Sequence, residues 1–225
     1  MESVFCIQSE LNPLLLEAFE LIKNRINSLT DLEPLYIDPM LSRIYRKQNE
    51  EKLFIINEFY QAKGFRKIHL EVAKLGKSLE ILHCVFFPDP CYDLPIFGAD
   101  LVVNSNNISA GIVDLSPVGK HLPDCLISQM RSLKVSKFTE PGKLPEWGFI
   151  FSPYVAFIRP VDFLEEKSFL ELIDQYLSLL LSLLVKVQRD EINSLDAMCS
   201  CLLYTSPSPR DQRGSGGAAW GGKKK

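Results

Sequence analysis

Between Phe65 and Leu115 the chain repeats one pattern: a short run in which side chains alternate between two chemical faces, closed by a turn-forming stretch. The runs are Phe65 to Val72, Leu79 to Phe87, Ile96 to Val103 and Ile108 to Leu115, and a period of two is that of a β-strand. Connections this short join neighbouring strands as antiparallel hairpins, because a parallel pair needs a long crossover. Gly76, in AKLGKS, marks the first turn. The meander begins near Leu53, and a further strand is expected over Phe149 to Arg159. Helices flank it. Pro13 stands near the start of LNPLLLEAFELIKNRI, where Leu15, Phe19, Ile22 and Ile26 recur at helical spacing. His121 to Leu133 and the leucine-rich Leu164 to Val187 also read as helices, the second packed against the sheet. The expected class is α+β with a central, largely antiparallel sheet.

Ionisable residues interrupt these strands. Ile68, Leu70 and Val72 share one face of the first run, while Lys67, His69 and Glu71 share the other. In the second run Leu79, Ile81, His83 and Val85 lie opposite Leu82, Cys84 and Phe86. A hairpin folded about Gly76 sets His69 opposite His83 and Glu71 opposite Ile81, with cross-strand neighbours roughly 5 Å apart. The third run carries Asp100, with Gly98 two residues earlier on the same face, where a missing side chain leaves a flat floor. The fourth sets the small residues Ser109, Ala110 and Gly111 beside one acid, Asp114. A single histidine in a strand is ordinarily structural, but an aspartate there is costly to bury unpaired and its pKa rises. Two histidines and two acids on adjacent strands, His69, Glu71, His83 and Asp100, point to proton chemistry. No HxxxH, HExxH or paired CxxC occurs, so no metal site is expected.

The strings FRKIHLEVAKLGKSLEILHCVFFPDP, LPIFGADLVV, ISAGIVDLSP, LPEWGFIFSPY and FIRP closely resemble the ferredoxin-dependent bilin reductases, in order, over about residues 10 to 190. The resemblance implies a three-layer α/β/α sandwich with the bilin between the sheet and C-terminal helices. It implies an oxidoreductase of bilin biosynthesis that reduces biliverdin IXα, a tetrapyrrole, with no bound flavin or metal, taking single electrons from reduced ferredoxin while the protein protonates radical intermediates. Asp100 in FGAD matches the family's central aspartate, a proton donor to the bilin. His83 in ILHC matches its histidine partner. Glu71 in HLE matches the glutamate linked to reduction of the D-ring exovinyl group, His69 a histidine of the proton-supply network, and Ser109 a serine that contacts a propionate. The presence of both His83 and Glu71 favours phycocyanobilin, a phycobilisome chromophore, as product. Two alternatives stand beside it: a bilin-binding fragment without turnover, and a related reductase making phycoerythrobilin.

After QRDEINSLDAMCS the chain departs from that family, whose members continue with loops and helices over the pocket. Residues 1–200 are accordingly expected to form one reductase domain truncated at its C-terminus. Residues 201–225, CLLYTSPSPRDQRGSGGAAWGGKKK, hold five of the twelve glycines and a terminal lysine run. Such a composition suits a disordered tail, and Cys201 to Asp211 reads as the translation of a transposase-type sequencing adapter, a segment to be set aside in fold reasoning.

Setting aside the five Lys or Arg and one Asp of that segment from the chain's 25 and 28 leaves 20 basic and 27 acidic residues, a net charge of −7. Acidic ferredoxin would then need a local basic patch, for which Arg43, Arg46 and Lys47, or Arg66, Lys67, Lys74 and Lys77, are candidates. Nucleic acid is not an expected partner, since basic residues are not in excess and no binding motif appears. About 200 residues at 46% hydrophobic content suffice for one core. The six cysteines lack zinc spacing and suit a reducing compartment. No apolar run reaches the roughly 20 residues of a membrane span, the nearest being Tyr176 to Val187. No leader is evident in MESVFCIQSELNP. A monomer in the cytoplasm of a cyanobacterial or phage-infected cell is the expected setting. His121, in GKHLPD, is expected to be a surface helix-cap residue.

Overall fold

The computed structural model describes residues 11–187, apart from 49–50, 78, 105–106, 134–137 and 145. The N-terminal decapeptide, the suspect C-terminal segment, Cys6, Cys199 and Cys201 therefore lie outside the described residues. In chain order the elements are α1 (Pro13–Asn27), β1 (Glu33–Pro34), α2 (Pro39–Ser42), β2 (Arg43–Gln48), β3 (Glu51–Ala62), β4 (Phe65–Leu75), β5 (Leu79–Pro88), β6 (Ile96–Asn104), β7 (Asn107–Ser116), α3 (Asp124–Met130), a 3₁₀ turn (Glu146–Ile150), β8 (Ala156–Ile158) and α4 (Phe163–Lys186). All strands join one antiparallel sheet in the order β1-β3-β4-β5-β6-β7-β8, with β2 also paired to β3. The α+β class and the antiparallel sheet agree with expectation.

Alternation decides which face is covered. Ile68, Leu70, Leu82, Cys84, Phe86, Phe97, Ala99 and Leu101 are all buried, and they share one core with Leu15, Ala18 and Ile22 of α1 and Phe169, Ile173 and Leu177 of α4. Asn12 caps α1 by accepting hydrogen bonds from the Leu14 and Leu15 amides, with Pro13 in the first turn, where its missing N–H costs nothing. Asp162 caps α4 through the Glu165 amide. A two-pronged Arg25–Asp174 pair, both bonds at 2.7 Å, ties the helices together. The buried Glu80 carboxylate accepts from the Asn12 amide and from Lys74, so α1 is anchored to β4 and β5. The long helices thus supply one of the two helical layers that the family resemblance implies, both on the same side of the sheet.

Gly111 faces that side. A Cβ there would lie 2.4 Å from the Phe169 ring, so its small size serves helix packing and not the site floor. By length and hydropathy α4 could cross a membrane, a match that counting uninterrupted apolar residues misses because Glu, Lys and Asp break the run. Its apolar stripe from Phe169 to Leu183 packs into the core.

Several expected boundaries shift. The strand expected over Phe149 to Arg159 is only Ala156–Ile158, preceded by the 3₁₀ turn. The helix expected from His121 begins at Asp124, with Pro123 at the cap position, so exposed His121 precedes the cap. The hairpin pairs Leu75 with Leu79, not symmetrically about Gly76, which takes the left-handed φ of 61° at the start of the turn. That displaces the β4–β5 register by two residues. Because the side-chain period is also two, every residue stays on its expected face while its partner changes.

Candidate active site

The face away from α1 and α4 carries the ionisable residues in two adjacent rows. Reading across β3 to β7, one row is Asn57, Glu71, His83, Asp100 and Ile112, and the next is Phe59, His69, Val85, Gly98 and Asp114. His83 is therefore the register partner of Glu71, and not of His69 as a turn centred on Gly76 implied; His69 is paired with Val85. Two acids flank one imidazole. His69 stays close on the diagonal, its ring centroid 5.4 Å from that of His83 at a steep angle. The site is half open, with side-chain exposures of 35% for His83 and 41% for Asp100.

The His83 Nδ1–H donates to Asp100 Oδ1 at 2.5 Å. Burial would lower the His83 pKa, but the Asp100 hydrogen bond and the negative charges of Asp100 and Glu71 outweigh it, and the pKa is raised above that of free imidazole. His83 is thus the imidazole inclined to hold its proton. Glu71 moves in the direction of a proton donor as well: burial raises its pKa, Asp100 adds repulsion, and His83 opposes them. His69 moves the other way, to about 4, through burial first and then the positive charges of His83 and Lys67. It is a neutral imidazole at neutral pH. One surface therefore holds an imidazole and a carboxyl both inclined to keep their protons beside an uncharged imidazole, the ingredients of stepwise proton delivery.

His69 is the most firmly held of the four. Its Nε2–H donates to Asn57 Oδ1 at 2.8 Å, and its ring stacks on Phe59 at 4.2 Å with only 7° between the planes. Neither Asn57 nor Phe59 was singled out from the sequence, although the alternation of β3 places both on this face. Among the described residues nothing stands within 4 Å of where a Cβ on Gly98 would lie, which leaves a flat floor beside Asp100. Ser109 is the extra residue of a β-bulge between the Val102–Ala110 and Val103–Ile108 pairs, exposed, its hydroxyl donating to Val102 O. Asp114 belongs to the second row but is fully enclosed, accepting hydrogen bonds from Ser116 and from both the amide and hydroxyl of Ser152. It is a structural acid. Among the described residues, no three His, Cys, Asp or Glu side chains are grouped as a metal site requires.

Of the basic residues suggested for docking, Lys74 is engaged with Glu80 and Lys67 lies over the Phe59 and Phe87 rings. Arg43, Arg46 and Lys47 are exposed along β2, next to exposed Tyr45, Met40 and Leu41.

Residues 19–201 match the family model described as ferredoxin-dependent bilin reductase. Curated proteins named phycocyanobilin:ferredoxin oxidoreductase are similar over most of the chain. One from Prochlorococcus marinus (strain MIT 9313) is 46% identical over 180 residues, covering 80% of this chain and 68% of the relative. Another, from Synechococcus sp. (strain CC9902), is 47% identical over 171 residues, covering 76% and 70%. Among solved structures, tomato phytochromobilin synthase in complex with biliverdin shares the fold with a TM-score of 0.60 at 19% identity, over 84% of this chain and 68% of that one.

Proposed function

The chain belongs to the ferredoxin-dependent bilin reductases, and from that membership we propose that it reduces biliverdin IXα to phycocyanobilin, with reduced ferredoxin as the electron donor. The observation that carries the reading is the row Glu71–His83–Asp100, three ionisable groups side by side on the open face of the sheet.

In this reading the planar tetrapyrrole lies on that face, above the floor left by Gly98, with a propionate toward Ser109 at the bulge. Ferredoxin delivers electrons singly. Each added electron makes the conjugated bilin more basic, and a proton from the sheet then completes the step, so electrons and protons enter in equal number. Asp100 and His83 share the proton nearest the pyrrole nitrogens as a coupled pair. Glu71, inclined to keep its proton, supplies the D-ring exovinyl group. His69 belongs to the same group as a proton relay. Arg43, Arg46 and Lys47 are docking candidates exposed together along β2, with Lys77 exposed as well, and opposite charge would speed encounter with an acidic donor. We further read residues 1–200 as one reductase domain, residues 201–225 as a segment foreign to it, and the protein as a cytoplasmic monomer.

The test is anaerobic incubation of the full chain with biliverdin IXα and a ferredoxin-reducing system, with chromatographic identification of the product. Phycocyanobilin is expected, and deletion of residues 201–225 should leave its yield unchanged. Phycoerythrobilin would overturn the product assignment, and bilin binding without turnover would leave a binding fragment.

A further inference from the structure

Asn57 makes two hydrogen bonds whose chemistry is unequal. Its Nδ2 donates to the Leu41 carbonyl oxygen at 2.8 Å, and its Oδ1 stands 2.8 Å from His69 Nε2. A backbone carbonyl can only accept, so the amide NH₂ must face Leu41 and the amide oxygen must face the imidazole. An amide oxygen can only accept in turn. The proton of the contact therefore sits on His69 Nε2, and in the neutral ring Nδ1 is the basic nitrogen. Phe59, stacked parallel on the imidazole, holds the ring plane in which this bond is made.

We propose that Asn57 is a positioning residue that holds His69 as its Nε2–H tautomer, so that this histidine takes up and passes on protons through Nδ1 instead of standing as an acid. The orientation is imposed from outside the site, by the carbonyl of Leu41 at the end of the short helix α2. Burial and the positive charges of His83 and Lys67 favour the same neutral form. A division of labour follows: His83, bonded to Asp100, is the imidazole inclined to hold an extra proton, and His69 is the neutral one. The catalytic meaning of this division rests on the proton-delivery role proposed above; the tautomer itself does not.

The chain has three histidines, which makes nitrogen NMR of the imidazole rings in the full, ¹⁵N-labelled protein practicable, His69→Gln supplying the assignment. At neutral pH, without bilin, His69 should show a protonated Nε2 and a bare Nδ1. Asn57→Leu, which removes the acceptor, should abolish that preference, whereas Asn57→Asp, which keeps an acceptor oxygen at the same place, should keep Nε2 protonated. A His69 carrying its proton on Nδ1, a doubly protonated His69, or an Asn57→Leu spectrum identical to the parent would each overturn the proposal. Should Asn57→Leu fail to fold, the parent and Asn57→Asp spectra still decide it. Turnover provides the separate arm: Asn57→Leu should lower the rate at saturating biliverdin by roughly tenfold, less than loss of a transferring group would, with Asn57→Asp retaining more of it. A tautomer shift with no bilin chemistry in any variant would sink the function and leave the positioning intact.

Discussion

His83 and Asp100 are register partners on β5 and β6, and the Nδ1–H of one reaches Oδ1 of the other at 2.5 Å. Glu71 is the partner of the same histidine on its other side. A single imidazole is thereby held between two carboxyl groups by strand pairing alone. The backbone ladder fixes the spacing, and no loop has to close for the three groups to meet.

Asp100→Asn keeps the shape and removes the negative charge that holds the proton on His83. The His83 pKa should fall, because burial then goes unopposed by its bonded carboxylate, and turnover should drop by about 10²–10⁴-fold, the range of a proton-transfer group. NMR titration of the ring checks the first part; an unchanged titration would show that Asp100 does not set the charge of His83.

Glu71→Gln should separate the two vinyl reductions. With the carboxyl proton gone, the product is expected to retain its D-ring vinyl group, as chromatography of the reaction would show. Full conversion to phycocyanobilin at the parent rate would remove Glu71 from the mechanism.

The pH dependence of folding should carry the signature of His69. Its folded pKa of about 4 lies below the ordinary 6.5, so between those values the unfolded chain binds more protons and stability falls as the pH is lowered. A shift of this size is worth on the order of 3 kcal/mol once the pH is below both values. His83, raised in the folded state, works in the opposite sense: its contribution is present below pH 6.5 and is lost as the pH rises through its folded pKa. His69→Gln should therefore flatten the acid side of the stability curve between pH 6.5 and 4, measured by urea unfolding. An unaltered slope would contradict the neutral state of His69.

Two glycines should respond oppositely to alanine. Gly111→Ala drives a Cβ into the buried Phe169 ring and should cost about 1–3 kcal/mol, as overpacking does. Gly98→Ala meets open space, so stability should change by no more than about 0.5 kcal/mol, while bilin affinity should weaken because the floor is no longer flat. Urea midpoints and bilin titrations together check the pair; equal affinities would place the bilin elsewhere.

Reversing Arg43, Arg46 and Lys47 to glutamate should raise the KM for ferredoxin several-fold and weaken its salt dependence. Turnover driven by a small chemical reductant should be unaffected. A KM for ferredoxin equal to that of the parent would exclude the β2 edge as the docking surface.

What the residues alone determined is the partition between faces. Alternation is a property of covalent geometry, so it could be read locally, and it placed His69, Glu71, His83 and Asp100 on one surface with Leu70, Leu82 and Leu101 on the other. It also survived the misjudged turn, since a slip of two residues leaves every face unchanged. What only the tertiary structure decided is which side chains meet. The turn geometry at Gly76 set the register and gave His83 to Glu71 and not to His69. Helix α4, far along the chain, assigned Gly111 to packing, while the absence of any neighbour among the described residues near its Cβ position left Gly98 in the floor. The Ser152 segment enclosed Asp114 and withdrew it from the acids of the open face. Asn57 and Phe59 gained meaning only when β3 came to lie beside β4. Such relations depend on distances between residues remote in sequence, and those distances do not exist until the sheet has closed its hydrogen bonds and the helices have covered one side of it.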